Sequence, residues 1–434
     1  MRGHARRRRV ALVVSAIFVP IAASAALQHR YDAEYESIQY STTVPTDAVA
    51  QLQDRIAAGE VTLQLEAGSG YLTSLLRELG VDVDTQLLVF SKTSLQVSKI
   101  SPQTPRAIYF NDSVYVAWVP GGRVEISSVD ARLGLVFYTL EQRQPSFERH
   151  PIQCLQCHDT YALTGGGVPR NLVGSGLIDQ SGALANHEGW FLTNDQTPIR
   201  RRWGGWYVTG THGDQVHMGN VIIGSREPAA SLDLSATGNI RDLANVVDTR
   251  PYVGGHSDIV ALMVLEHQVH VQNVITRVSY DTRTALHNQK KHNRQLGLDE
   301  GFLSEETASR IQSIAEPLVR ALLMVDEAAL TGVVTGTSGF TARFARLGPF
   351  DLEGRSLREF ALERRLFRYP CSYVIYSEAF DALPDVSKAY VYGRLREVLV
   401  GEDRSPAFAH LSPTDRREIL EILELTKLEF AAAS

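Results

Sequence analysis

Leu87-Leu-Val-Phe90, Ala107-Ile-Tyr-Phe110, Val114-Tyr-Val-Ala-Trp118 and Leu135-Val-Phe-Tyr138 are short aliphatic, β-branched and aromatic runs within residues 85–140. Asn111-Asp112, Pro120-Gly-Gly122 and Asp130-Ala-Arg-Leu-Gly134 separate them, and each break carries turn-forming residues. Runs of this length with such punctuation predict an antiparallel meander. On the N-terminal side, Leu52, Ile56, Leu72, Leu75, Leu76 and Leu79 keep helical spacing from Ala48 to Leu79, broken at Gly68-Ser-Gly70. On the C-terminal side, a long amphipathic helix is expected from Ser257 to Asn288 with Ser257 as its N-cap. A second is expected after Ser304, where Glu305 and Glu306 suit a helix N-terminus, and a third after the cap Ser412-Pro413-Thr-Asp415. The fold class read from this order is α+β, with an antiparallel β-rich N-terminal half and a helical C-terminal part.

Composition bounds the function. The 434 residues are 44% hydrophobic and 21% charged, which suits a globular chain and excludes collagen-like or wholly disordered classes. Three cysteines are too few for a disulfide-built scaffold. The net charge of −6 argues against nucleic acid as a partner. Residues 1–25 place a basic head, Met1-Arg-Gly-His-Ala-Arg-Arg-Arg-Arg9, before an apolar run and an Ala23-Ser24-Ala25 exit. They are expected to be a secretory signal peptide, or alternatively an N-terminal membrane anchor, so the body should be exported and periplasmic. Losing those residues removes five arginines and no acid, taking the net charge to −11. The organisation expected is then residues 26–145 as helix plus meander, 146–224 as the chemical segment, 225–256 as linker, and 257–434 as the helical region.

Cys154-Leu-Gln-Cys157-His158 carries the chemistry. Two thiols three residues apart and an adjacent imidazole can all reach one rigid macrocycle from a single turn of chain. With 3 cysteines and 13 histidines in 434 residues, chance produces the pattern about once in 2,000 to 3,000 such chains. Competing readings are a surface disulfide, a thioredoxin-like dithiol and half of a zinc site. Only Cys371 supplies a third sulfur, and no parallel βαβ pattern surrounds the pair.

With those residues the sequence resembles the c-type cytochromes. The resemblance implies one covalently attached haem c per chain, thioethers at Cys154 and Cys157, and His158 as proximal iron ligand. It extends to Thr164-Gly-Gly-Gly-Val-Pro169, a glycine-rich stretch ending in a proline beside the proximal histidine, and covers roughly residues 150–220. The residues before Cys154 are strand-like, so a plain small all-α cytochrome c is not expected; the chain looks like larger periplasmic proteins bearing one attachment motif. For the sixth iron position the candidates are Met218, His217, His212, His270 and His267. Trp203-Gly-Gly-Trp206-Tyr207 through Asn220 reads as a hairpin whose arms flank His212-Gly-Asp-Gln215, and Met263, His267, His270 and Val274 share one helix face. Arg170 and one of Arg200, Arg201 or Arg202 are candidate partners for the haem carboxylates, with Trp203, Trp206 and Tyr207 as aromatic walls. The expected role is one-electron transfer with a redox partner protein that the sequence does not identify. The alternatives are a peroxidase-like haem enzyme with an open sixth position, or a haem-based sensor.

Overall fold

The computed structural model describes residues 32–159, 167–185, 189–224 and 232–432. The N-terminal signal or anchor expected at residues 1–25, the Thr164–Gly166 part of the glycine-rich stretch, and residues 225–231 of the expected linker lie outside the described residues.

Two helices open the described chain. Helix α1 (Ala48–Ala57) is capped by Asp47, whose carboxylate accepts the Val49 N–H, and it buries Val49 and Leu52. Helix α2 (Leu72–Glu78) follows the Gly68–Gly70 break and buries Leu72, Leu75 and Leu76. The meander comes next: β1 (Leu87–Val89), β2 (Arg106–Phe110), β3 (Val114–Trp118), β4 (Val124–Asp130), β5 (Gly134–Leu140) and β6 (Phe147–Arg149). They pair antiparallel in sequence order, and β10 (Trp206–Tyr207) adds to the free side of β1, giving the order β10-β1-β2-β3-β4-β5-β6. Strand β4 was not among the four runs read from sequence, because Glu125, Ser127 and Ser128 interrupt its apolar character.

The register places Ile108, Ala117, Glu125 and Thr139 in one cross-strand row, with Arg106 and Phe137 on the same face. On the opposite face Tyr138 donates to Asp47 at 2.6 Å and Tyr40 donates to the Leu135 carbonyl at 2.8 Å, tying that side to the N-terminal segment. A short helix, α3 (Leu155–His158), follows β6. The segment after it is a succession of loops and two- or three-residue strands: β7 (Gly174–Gly176), β8 (Ile178–Asp179), β9 (Trp190–Leu192), β10 and β11 (Ile222–Ile223).

Helix α4 (Ile259–Leu296) crosses the first face of the sheet near the β2–β3 and β4–β5 turns. Its Gln268 and Gln272 amides bond the Asn111 and Asp112 carbonyls, and Tyr115 donates to Gln272. The cap is Asp258, not Ser257: Asp258 accepts from Val260 and Ala261, while Ser257 donates to the Tyr207 carbonyl and accepts from Leu88 N–H. Helices α5 (Glu305–Leu322), α6 (Asp385–Leu399) and α7 (Pro413–Thr426) complete the C-terminal layer. Ser304 and the Ser412–Asp415 capping box stand at the expected starts. Leu243, Val247 and Tyr252 are buried in the same core, so residues 232–256 pack against the body. The chain is thus α+β, with its antiparallel sheet in the N-terminal half and its helices C-terminal.

The stretch read as a hairpin over Trp203–Asn220 is not one. Only Trp206 and Tyr207 form a strand, and their partner is β1. Positive φ at Trp203, Gly205 and Gly210 breaks the extended run, and the Asn220 side chain takes the place of a strand by bonding Val208 N–H and C=O.

Candidate functional site

Strand β6 delivers the chain to Cys154-Leu-Gln-Cys157-His158 along the edge of the sheet. Leu155 is fully buried and anchors a single helical turn, in which Cys157 and His158 both donate backbone N–H groups to the Cys154 carbonyl, at 3.1 and 2.9 Å. Positions three apart share a side of such a turn, so the two thiols are presented together. Cys154 is half-buried and Cys157 exposed, and neither is in a disulfide. Burial first, then Glu125 and Cys157, push the Cys154 thiol up to about 12. A dithiol built for disulfide exchange needs the reverse shift, which weakens the thioredoxin-like reading.

His158 is committed at one nitrogen. Its Nδ1 lies 2.6 Å from the Arg170 carbonyl, and the Arg170 N–H returns a bond of 3.1 Å to the His158 carbonyl. The carbonyl can only accept, so Nδ1 carries the proton and Nε2 keeps its lone pair. Burial holds the imidazole below its ordinary pKa, and its ring leans on Phe137 with centroids 4.6 Å apart. An imidazole with Nδ1–H on a carbonyl and, among the described residues, no bond at Nε2 has the usual form of a metal-ligating histidine. Pro169 is buried immediately before Arg170 and fixes the approach of that carbonyl. The residues present therefore fit a thioether-bound haem: two thiols on one side of a turn and an oriented imidazole beside them.

The other sequence candidates are scattered. Met218 donates its N–H to the Arg202 carbonyl, and its sulfur faces Ser175 Oγ at 3.8 Å. With Arg200, Arg201 and Leu177 it lines a cleft of about 420 Å³ beyond the β10 edge. His158 rests on β5, and five strand spacings of about 4.8 Å put roughly 24 Å of sheet between it and that edge. Met218, Arg200 and Arg201 thus belong to a different surface from His158. Trp203 is fully buried at the same far edge, 5.2 Å from the His217 ring, and walls no crevice at His158. Trp206 donates its indole N–H to the Gly174 carbonyl, and Tyr207 donates to Pro102.

His212 and His217 are both buried with rings 4.8 Å apart. His217 Nδ1 accepts the Gly219 N–H, which puts its proton on Nε2, and His212 Nε2 accepts the Asn239 N–H. Burial, then His212, press the His217 pKa down to about 3, so it stays neutral. Neither ring offers Nε2 as a lone pair. Arg202 is locked by Glu266 at 3.0 Å and by the Asp195 and Thr197 carbonyls, which removes it as a free carboxylate partner. The Arg170 side chain sits in a charge group with Asp159, Arg277 and Asp281, so its link to His158 runs through its carbonyl.

The α4 histidines form a cluster that sequence spacing did not reveal. His267 Nδ1 and His270 Nδ1 each lie 2.6 Å from a different oxygen of Asp195, and His267 Nε2 is 2.8 Å from Ser372 Oγ. Both His267 nitrogens are taken and the residue is fully buried, which leaves it no lone pair for iron. His270 is part-exposed, and among the described residues its Nε2 makes no hydrogen bond. Ser372, His267 and Asp195 reproduce a nucleophile–base–acid order, but all three are buried and Ser372 caps a 3₁₀ turn, so no substrate reaches them. Asp195 lies 72 residues from His267 and Ser372 a further 105, and no motif signals such a meeting.

Among the described residues no three His, Cys, Asp or Glu side chains converge as a metal cage, and no helix is long and apolar enough to cross a membrane. A haem iron brings its own four nitrogens and asks one imidazole of the chain. No family model, curated protein or solved structure matches this chain.

Proposed function

We propose that the chain is an exported, single-haem c-type cytochrome-like protein that takes part in one-electron transfer. One observation carries the reading: Cys154, Cys157 and His158 occupy a single helical turn, and the Arg170 carbonyl commits Nδ1 of His158 so that Nε2 is left to bind. When bound, the haem supplies reversible one-electron redox chemistry at its iron. The protein's own contribution is positional. Leu155 pins the turn, Phe137 and burial keep His158 neutral, and the Arg170 carbonyl fixes its tautomer and increases its basicity as a ligand. The half-buried Cys154 and the exposed Cys157 would hold the group through two thioethers. A mature surface of net charge −11 suits a redox partner with a basic docking face.

The test is acid–acetone extraction followed by a reduced pyridine haemochrome spectrum, on protein produced with a cytochrome c maturation system. Colour remaining with the polypeptide, and lost in Cys154→Ala/Cys157→Ala, is the expected result. Colour that leaves with the solvent in the wild type overturns the reading.

A further inference from the structure

A second, smaller hydrophobic cluster lies beyond the β10 edge, apart from the main core. Leu177, Ala185, Val221 and Ile223 are buried in it, and Met218, Leu232 and Leu234 pack against them half-buried. The cluster is not closed. Leu177, Met218, Leu232 and Leu234 wall a cleft of about 420 Å³, completed by Pro198, Arg200 and Arg201. Clefts of about 300–1,000 Å³ with mostly apolar walls and a few polar groups are the usual seats of small organic ligands. Hydrogen bonds fix the frame. Ser175 donates its hydroxyl to the Arg201 carbonyl at 2.8 Å, Gly204 donates its N–H to that hydroxyl at 2.9 Å, and the Met218 N–H binds the Arg202 carbonyl at 3.0 Å.

The two arginines give the cleft its chemical sign. Both are exposed, so a bound group can reach them. The Arg201 guanidinium lies over the Phe191 ring, 4.3 Å from its centroid, which restrains it at the rim. Arg202 beside them is locked by Glu266 at 3.0 Å, whereas among the described residues neither Arg200 nor Arg201 has an acidic partner. Asp233, the acid between Leu232 and Leu234, is turned to its own loop, where it accepts from the Ser235 N–H and hydroxyl. Two adjacent cations therefore stand over an apolar floor in a chain of net charge −6. The overall field repels anions, so an anion held here is held by these side chains.

We propose that this cleft binds a single-chain aliphatic carboxylate of medium length, its head on Arg200 and Arg201 and its alkyl chain along Leu177, Met218 and Leu234. A carboxylate matches the guanidinium fork. Leucine and methionine make a deformable apolar wall, and no ring lines the cleft on which a flat aromatic body could stack. The site lies on a different surface from His158 and does not depend on the haem reading.

The experiment titrates decanoate into the full chain, with 1-decanol and acetate as probes of the tail alone and the head alone. Decanoate is expected to bind about tenfold or more tightly than either. The double variant Arg200→Gln/Arg201→Gln should weaken decanoate by about the same factor and leave 1-decanol unchanged. Leu234→Trp fills the cleft and should remove both, with the far-ultraviolet circular dichroism unchanged. A footprint avoids any folding defect: in Leu232→Cys, maleimide labelling at position 232, mapped by peptide mass, should slow in saturating decanoate and not in acetate. Decanoate binding no tighter than that of 1-decanol or acetate, or undiminished in the double variant, overturns the proposal. So does an unchanged labelling rate at position 232. Haem-loaded and haem-free chains should give the same result, so the failure of one reading leaves the other in place.

Discussion

Two histidine sites in this protein begin alike and end differently. His158 gives its Nδ1–H to the Arg170 carbonyl, and His267 gives Nδ1 to the Asp195 carboxylate. The difference lies at the other nitrogen. That of His158 has no hydrogen bond among the described residues and stands beside two free thiols, whereas that of His267 is closed by Ser372 inside a fully buried network. An imidazole oriented through Nδ1 is thus equally the start of a ligand and the start of a structural clasp, and what meets Nε2 decides which.

The strongest way to break this contrast is to remove each histidine in turn. His158→Ala should abolish stable haem loading, seen as loss of the Soret band, with little change in the melting of the unmatured chain. Asp195→Ala should do the reverse. It leaves His267 and His270 without their shared acceptor, and the expected cost is about 3–5 kcal/mol by denaturant titration. Haem content per folded molecule should be unaffected. If Asp195→Ala lost haem as completely as His158→Ala, with stability intact, the assignment of ligand and clasp would be inverted.

Protonation sharpens the contrast at intermediate size. Burial alone would lower the His270 pKa, but the Asp195 carboxylate outweighs it and raises it; burial and then His212 drive His217 down to about 3. The signs oppose each other. The contribution of His270 is complete below its unfolded value of about 6.5 and is lost as pH rises through the folded value. His217 must stay neutral, so it costs stability as pH falls below about 6.5, at up to about 1.4 kcal/mol per pH unit down to about 3. Melting curves between pH 4 and 8 should therefore show His270→Gln losing its deficit relative to wild type at the alkaline end. His217→Gln should gain on wild type at the acid end. Parallel curves for all three proteins would sink the opposed shifts assigned to His270 and His217.

How much of this was readable beforehand follows from the range of the forces involved. Four strands announced themselves because their runs are apolar and their turns carry Gly, Pro, Asn or Asp. Strand β4 escaped because Glu125, Ser127 and Ser128 interrupt its apolar run, although Ser127 and Ser128 are themselves buried. The α4 cap was misread by one position: Ser257 and Asp258 are both good caps, and the Tyr207 carbonyl draws the serine away. That Cys154, Cys157 and His158 share one turn was legible because their spacing is local. The Arg170 carbonyl was nearly so, one residue beyond the expected Pro169. Asp195 and Ser372 were not, since each meets its histidine only through the packing of distant segments around α4.

The smallest effect is predicted at Met218, and it is informative for being small. Thioether ligation shifts a haem's potential and absorption strongly, so a methionine serving the iron cannot be replaced by leucine unnoticed. Met218 is half-buried beside Ser175 and the Arg200–Arg201 cleft, beyond the sheet edge opposite to β6. Met218→Leu is close to isosteric and should cost under about 1.5 kcal/mol. It should leave the Soret maximum and the potential of the loaded protein where they were, as should Arg200→Gln and Arg201→Gln. Loss of a near-infrared thioether-to-iron band in Met218→Leu would require the two edges of the sheet to meet around one iron, and that would overturn the strand order on which the separation of the two surfaces rests.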